Sequence, residues 1–158
     1  MAKTIEQFNK LTLPVKLGIV AGGYFLILKP LLKGITNPAP PPANQTPTSA
    51  QNEVDNLINN GQQLAHPLSW YAAKADAMQQ AMFDLGTDEA VIFSAFNGCN
   101  SIIDVLQLIS SFGNRPYYYF GINYGNLTLP QWFSEELDSS EIDQINNILQ
   151  NKGINYYF

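Results

Sequence analysis

The sequence predicts an all-α protein: an N-terminal transmembrane helix, a proline-rich linker and a five-helix bundle. Three observations predict it. Leu17 to Leu28 is apolar without interruption, and Asn37 to Ala50 carries five prolines and no charge. Beyond residue 52, apolar side chains recur every three or four positions, the period of a helix and not of a strand. The chain accordingly divides into a tail over 1–10, a spanning helix over 11–35, a linker over 36–51 and a helical domain over 52–158.

The apolar core of the first helix covers about 18 Å, but Leu11 to Leu32 reaches about 33 Å, enough for the roughly 30 Å hydrocarbon layer. Lys16 and Lys29 bracket the core, where lysine stems can carry their charge to the headgroups. Other readings fit less well. A cleavable signal needs a small-residue site directly after its apolar stretch, where Lys29-Pro30 stands. An interfacial helix needs a polar face, which Leu17 to Leu28 lacks, and a buried helix needs a domain around it. Lys3, Lys10 and Lys16 against Lys29 and Lys33 favour a cytoplasmic N-terminus. Gly18 and Gly22, four apart, make a flat stripe suited to helix association, although small residues also populate membrane helices without pairing. The prolines that follow predict an extended spacer of about 43 Å.

Within the domain, Leu68, Tyr71, Ala75, Met78, Met82 and Leu85 predict a helix over 68–84, stopped by Gly86. Thr87 can cap the next, which carries Val91, Ile92, Ala95 and Phe96 and ends near Gly98. Ile102, Val105, Leu106 and Ile109 predict a third over 100–111, closed by Phe112 and Gly113. Leu129, Trp132, Phe133 and Leu137 mark a short fourth, with Thr128 as cap and Pro130 in the first turn. Asp138 and Glu141 form a capping box for the fifth, whose stripe is Ile142, Ile145, Ile148 and Leu149 and whose stop is Gly153. A further weak helix is expected over 52–64, broken near Gly61.

Ala81 to Glu89, which includes Leu85-Gly86-Thr87-Asp88-Glu89, resembles the first helix-loop-helix of an annexin repeat. With the helix count, the resemblance covers about residues 70–153, one repeat. Single-copy domains of this kind with an aromatic end, here Ile154 to Phe158, also resemble phage and bacterial proteins of Bacteroidetes type. The resemblance implies a calcium loop, but the chain departs from it. Asp84 stands where the annexin loop has glycine, and Asn126-Leu127-Thr128 lacks the distal carboxylate. Calcium prefers several charged oxygens, so calcium-dependent lipid binding is not carried over and no metal or cofactor is expected. No internal repeat is present, so the apolar face of a single repeat must be covered by 52–64, by a second copy or by another protein.

Charge narrows the function. Residues 1–50 hold five lysines against Glu6, net +4; residues 51–158 hold three basic side chains against twelve carboxylates, net −9. A domain so acidic repels phosphate, which excludes nucleic acid as a partner. Catalytic groups are sparse. His66 is the only histidine, so no Ser-His-Asp arrangement is expected around it, and at a helix entrance it reads as a turn residue facing solvent. Cys99 is the only cysteine and sits in an apolar pattern as a core residue. Glu135-Glu136 and Asp138 with Glu141 fall at helix ends, where capping explains them.

The remaining distinctive feature is aromatic. Tyr117, Tyr118, Tyr119, Phe120 and Tyr124, together with Trp132, Tyr156, Tyr157 and Phe158, are expected to form an interaction surface, the alternative being that they pack over the bundle core. Together these features predict a non-enzymatic, single-pass membrane protein of structural or adaptor type. Its expected partners are the lipid bilayer and a capsid or envelope protein, with a homo-oligomer as a further expectation. The phage resemblance implies a virion protein linking a membrane to its capsid. The alternative is a bacterial envelope module that binds lipid or glycan.

Overall fold

A computed structural model describes residues 45–83 and 86–158. The transmembrane helix expected over 11–35, with Gly18 and Gly22, lies outside the described residues, as do Asp84 and Leu85. Among the described residues no helix is long and apolar enough to cross a membrane. They form six helices and one hairpin: α1 (Pro47–Asn59), α2 (Leu68–Ala81), α3 (Glu89–Gly98), α4 (Ile102–Phe112), β1 (Arg115–Tyr119), β2 (Ile122–Leu127), α5 (Leu129–Glu136) and α6 (Ser139–Asn151).

The helical character holds, with two corrections. The first is α1, which begins at Pro47, inside the stretch read as linker, and ends at Asn59. Thr46 Oγ1 accepts from Ser49 N at 3.1 Å, and Pro47 at the first position gives up only an amide that would have no helical partner. Ala50 and Val54 are fully buried, and the helix packs along α4, joined to it by Ser110 Oγ donating to Gln51 Oε1 at 2.7 Å. This helix covers apolar surface of α4. Gly61, at φ +87°, ends it: its amide donates to Ile58 O, and the amide of Gln62 to Leu57 O.

The second correction is the antiparallel hairpin, where no strand was expected. Tyr119 pairs with Ile122 and Tyr118 with Asn123 across a two-residue turn at Phe120-Gly121. Both turn residues have positive φ, +48° and +75°, which matches the right-handed twist of the strands. A bulge between Pro116 and Tyr118 places an extra residue on β2, where Asn123 Oδ1 accepts from Gly125 N at 2.7 Å.

The core centres on α4, which is buried on all sides from Ile103 to Ile109. The stripe of α2 is buried at Tyr71, Ala75, Met78 and Met82, whereas Leu68, expected in it, is exposed. Helix α6 lies against α3 and ends as expected at Gly153, where the amide of Ile154 donates to Leu149 O at 2.9 Å. The chain then runs back over the core with Ile154, Tyr156 and Phe158 buried. Phe158 is clasped at its backbone by Asn146, whose Oδ1 accepts from Phe158 N at 2.9 Å and whose Nδ2 donates to Phe158 O at 3.3 Å. The aromatic end is therefore part of the fold and closes over Phe96 and Phe133.

Candidate functional site

The hairpin is held to the helices at its base. Arg115 Nε donates to Phe112 O, and its Nη1 to Gln79 Oε1, both at 2.7 Å; its Nη2 pairs with Asp76 Oδ1 at 2.8 Å. The guanidinium also lies 4.9 Å from the centre of the Phe112 ring. One arginine thus fixes the start of β1 to both α2 and α4. Two residues on, Tyr117 turns inward. Its ring meets Trp132 edge-on at 4.9 Å and its hydroxyl donates to Glu136 Oε1 at 2.5 Å. Burial, then that bond and the Glu136 charge, push the Tyr117 hydroxyl well above the usual tyrosine pKa. Thr87 Oγ1 donates to the other oxygen of Glu136 at 3.4 Å. Thr87 therefore does not cap α3, whose N-cap position belongs to Asp88. Glu136 is a junction between hairpin, α2–α3 turn and α5.

The expected aromatic surface divides in two. Trp132 is fully buried, and its Nε1 donates to Arg115 O at 3.4 Å. Tyr117, Tyr156 and Phe158 are also buried, so these four are core and are corrected from surface to interior. The reason is the same in each case: with few charged residues available, large rings supply the area that closes a small domain. Tyr119 is half-buried, its ring 4.7 Å from Phe120. Tyr118, Phe120, Tyr124 and Tyr157 are exposed, and the first three are joined at the hairpin tip by Ile122, which the sequence reading did not single out. Phe83, from the end of α2, adds an exposed ring 6.5 Å from Tyr118.

The other polar centre is one that periodicity hid. Asp104 lies in the apolar run Ile102 to Ile109 and is completely buried. Its Oδ1 accepts from Ala65 N at 2.9 Å and from the Tyr71 hydroxyl; its Oδ2 accepts from Asn100 N at 2.8 Å, Ser101 N at 3.1 Å and Ser101 Oγ at 3.2 Å. Burial alone would raise its pKa, but the bonds from Tyr71, Ala65, Asn100 and Ser101 more than offset this and hold it below the ordinary aspartate value. The carboxylate ties the α1–α2 loop, α2 and the α3–α4 turn together. A Ser-X-X-Asp pattern at 101–104 was the available signal, but it reports only the bond to Ser101 and not the long-range ones.

His66 is likewise structural and not a solvent-facing turn residue. It stacks on Trp70 at 4.0 Å, and Nε2 donates to Gly98 O at 2.9 Å. Cys99 is buried as expected, and burial, then the Asp104 charge, push its thiol up to about 12. Asp138 and Glu141 form the expected capping box: Asp138 Oδ1 accepts from Glu141 N at 3.0 Å, and Glu141 Oε2 from Asp138 N at 2.6 Å. Burial and the charges of Asp138 and Glu89 raise Glu141. Among the described residues, no three of the His, Cys, Asp and Glu side chains group so as to hold a metal ion.

Comparison with known proteins returns nothing to set beside this arrangement: no family model matches the chain, and no curated protein or solved structure matches it.

Proposed function

We propose that the chain is a non-enzymatic, membrane-anchored structural adaptor. Residues 11–35 form the anchor, the prolines after it the spacer, and the helical domain the part that engages a capsid or envelope protein. The single observation that carries this reading is how the domain uses its polar and aromatic groups. Glu136, Asp138, Glu141, His66 and Cys99 are bound into caps, junctions or core, while a hairpin without charge from Pro116 to Leu127 stands out from a domain of net charge −9. Such a body selects a partner surface rich in lysine and arginine. A virion protein joining a membrane to its capsid is the concrete form, and the annexin-like helix-turn-helix around Gly86 is its proposed ancestry. A second reading, an envelope module that binds lipid, is favoured by the same hairpin.

Fractionation of the full chain and a Δ1–36 version, followed by cross-linking mass spectrometry in the native particle or cell, tests the proposal. Membrane retention of the full chain alone, with cross-links from residues 51–158 to a shell or envelope protein, is the expected result. Finding both versions in the soluble fraction overturns it.

A further inference from the structure

Among the described residues, the hairpin tip groups four exposed large apolar side chains, Tyr118, Phe120, Ile122 and Tyr124, within seven positions. Cross-strand pairing puts Tyr118 on one face and Ile122 on the other, and the ring of Tyr124 lies 6.4 Å from Tyr117 and 6.5 Å from Tyr119 on that second face. Phe120 stands at the apex, 54% exposed, and Ile122 and Tyr124 are exposed to 59% and 58%. The tip is therefore a wedge with exposed apolar side chains on both faces, Tyr118 beside its polar partner Asn123 on one and Ile122 with Tyr124 on the other. A flat protein partner covers one face of such an element and leaves the other wet; a fluid that surrounds it covers both.

Charge is excluded from this wedge. The nineteen residues from Pro116 to Ser134 contain no Asp, Glu, Lys, Arg or His, where an average sequence would carry about five. The nearest charges lie at the base, in Arg115 with Asp76 and in Glu136. Strand addition is blocked on both edges, by Pro116 on β1, which lacks an amide hydrogen, and by the bulge with Gly125 at φ +102° on β2. A second copy is disfavoured by the repulsion of two strongly acidic bodies. Phe120, finally, sits at φ +48°, a conformation that costs a residue with a side chain about 1–2 kcal/mol and that asparagine or glycine would adopt more readily. Phe120 is thus a backbone outlier at the apex that leaves an aromatic ring half in solvent, 4.7 Å from the ring of Tyr119.

We infer that the β1–β2 hairpin is a membrane-contacting wedge, whose tip enters the headgroup–acyl boundary of an electrically neutral bilayer surface. This rests on the membrane-anchored reading. The eleven residues from 36 to 46 allow a contour of at most about 34 Å, so the membrane-anchored reading leaves the domain within reach of a bilayer. From Tyr118 to Phe120 the wedge is about 7–10 Å deep, the thickness over which interfacial elements bury their apolar side. Tyrosines flanking the phenylalanine can keep their hydroxyls in the wet layer while their rings enter the apolar one. The acidic exterior then remains free for the shell or envelope partner.

The experiment uses the full chain reconstituted into phosphatidylcholine vesicles, with Cys99→Ala and an environment-sensitive fluorophore at Phe120→Cys or, as control, Tyr157→Cys. Quenching by nitroxide-labelled lipid is read at each position. Circular dichroism reports folding, and Phe120→Asn, suited to the turn but polar, serves as the second variant in a label-independent test of domain release by protease. Quenching at 120 and none at 157, with faster release of the domain in Phe120→Asn, is the expected result. Co-flotation with vesicles but no quenching at 120 overturns the wedge and leaves the anchor standing; a cross-link from 120 to protein in the native particle would then identify the true occupant. Equal quenching at both positions also overturns it, as adsorption of the whole domain. A chain that does not float with vesicles overturns wedge and anchor together.

Discussion

Replacing Asp104 by asparagine tests the account of the core most directly. The carboxylate accepts five hydrogen bonds, is ion-paired with no cation among the described residues, and is fully buried. In Asp104→Asn one acceptor oxygen becomes an NH₂ group. If the amide faces the loop of 100–101, it opposes three donors; if it faces Tyr71 and Ala65, it opposes two. At least two charge-assisted bonds are lost, each about 1.5–3 kcal/mol, with partial relaxation and loss of the carboxylate's own desolvation cost offsetting some of this. A net destabilisation of about 3–4 kcal/mol is expected, which lowers Tm by roughly 12–16 °C at about 4 °C per kcal/mol for a domain of this size. Tyr71→Phe removes one bond of the five and should cost about 1–2 kcal/mol. The double variant should cost less than the sum, because both changes remove the same bond. Urea unfolding of the three variants and the parent measures these values. A loss under about 1 kcal/mol for Asp104→Asn would refute the assignment of Asp104 as the junction.

The same group fixes a pH dependence. Its pKa is depressed in the fold, so its contribution is complete above the unfolded-state value of about 4 and fades as pH falls through the lower native value. The parent should therefore lose stability below about pH 4, and the Asp104→Asn variant should lose less over that range, as read by Tm against pH. Gly98→Ala should cost about 1–3 kcal/mol, because a β-carbon there falls 2.7 Å from Trp70 Cη2 and closer still to Cζ2. Adding Trp70→Leu should recover part of that loss, and thermal melts of the single and double variants check it. Phe120→Asn should raise stability by about 1 kcal/mol by relieving the left-handed conformation, even as it weakens membrane contact, a pairing that denaturant melts and vesicle binding together detect. Cys99, with its thiol pushed up to about 12, should resist Ellman's reagent at pH 8 in the folded protein and react fully in urea.

The sequence by itself determined what depends on neighbours three or four residues away. The capping boxes at Thr128 with Gln131 and at Asp138 with Glu141, the helix stops at Gly113 and Gly153, the stripes of α3 and α6, and that of α2 from Tyr71 to Met82 are all local chemistry and all stand in the structure. Helix α4 shows where this legibility ends. Its expected stripe is there, but its opposite side is buried too, because α1 arrives from about 55 residues upstream, as the bond from Ser110 to Gln51 records. The hairpin was hidden because strands of five and six residues, one with a bulge, give too little alternation to read; Phe120-Gly121 between two aromatic runs was its one mark. Tertiary structure alone decided the fate of the aromatics. Tyr117 and Tyr118 are chemically the same residue on adjacent positions, yet one is sealed against Trp132 and the other exposed. Strand alternation sends neighbours to opposite faces, and only the position of α5 determines which face meets the core. A periodic pattern can state that two side chains differ in direction, but it takes a packing partner to state which direction is inward.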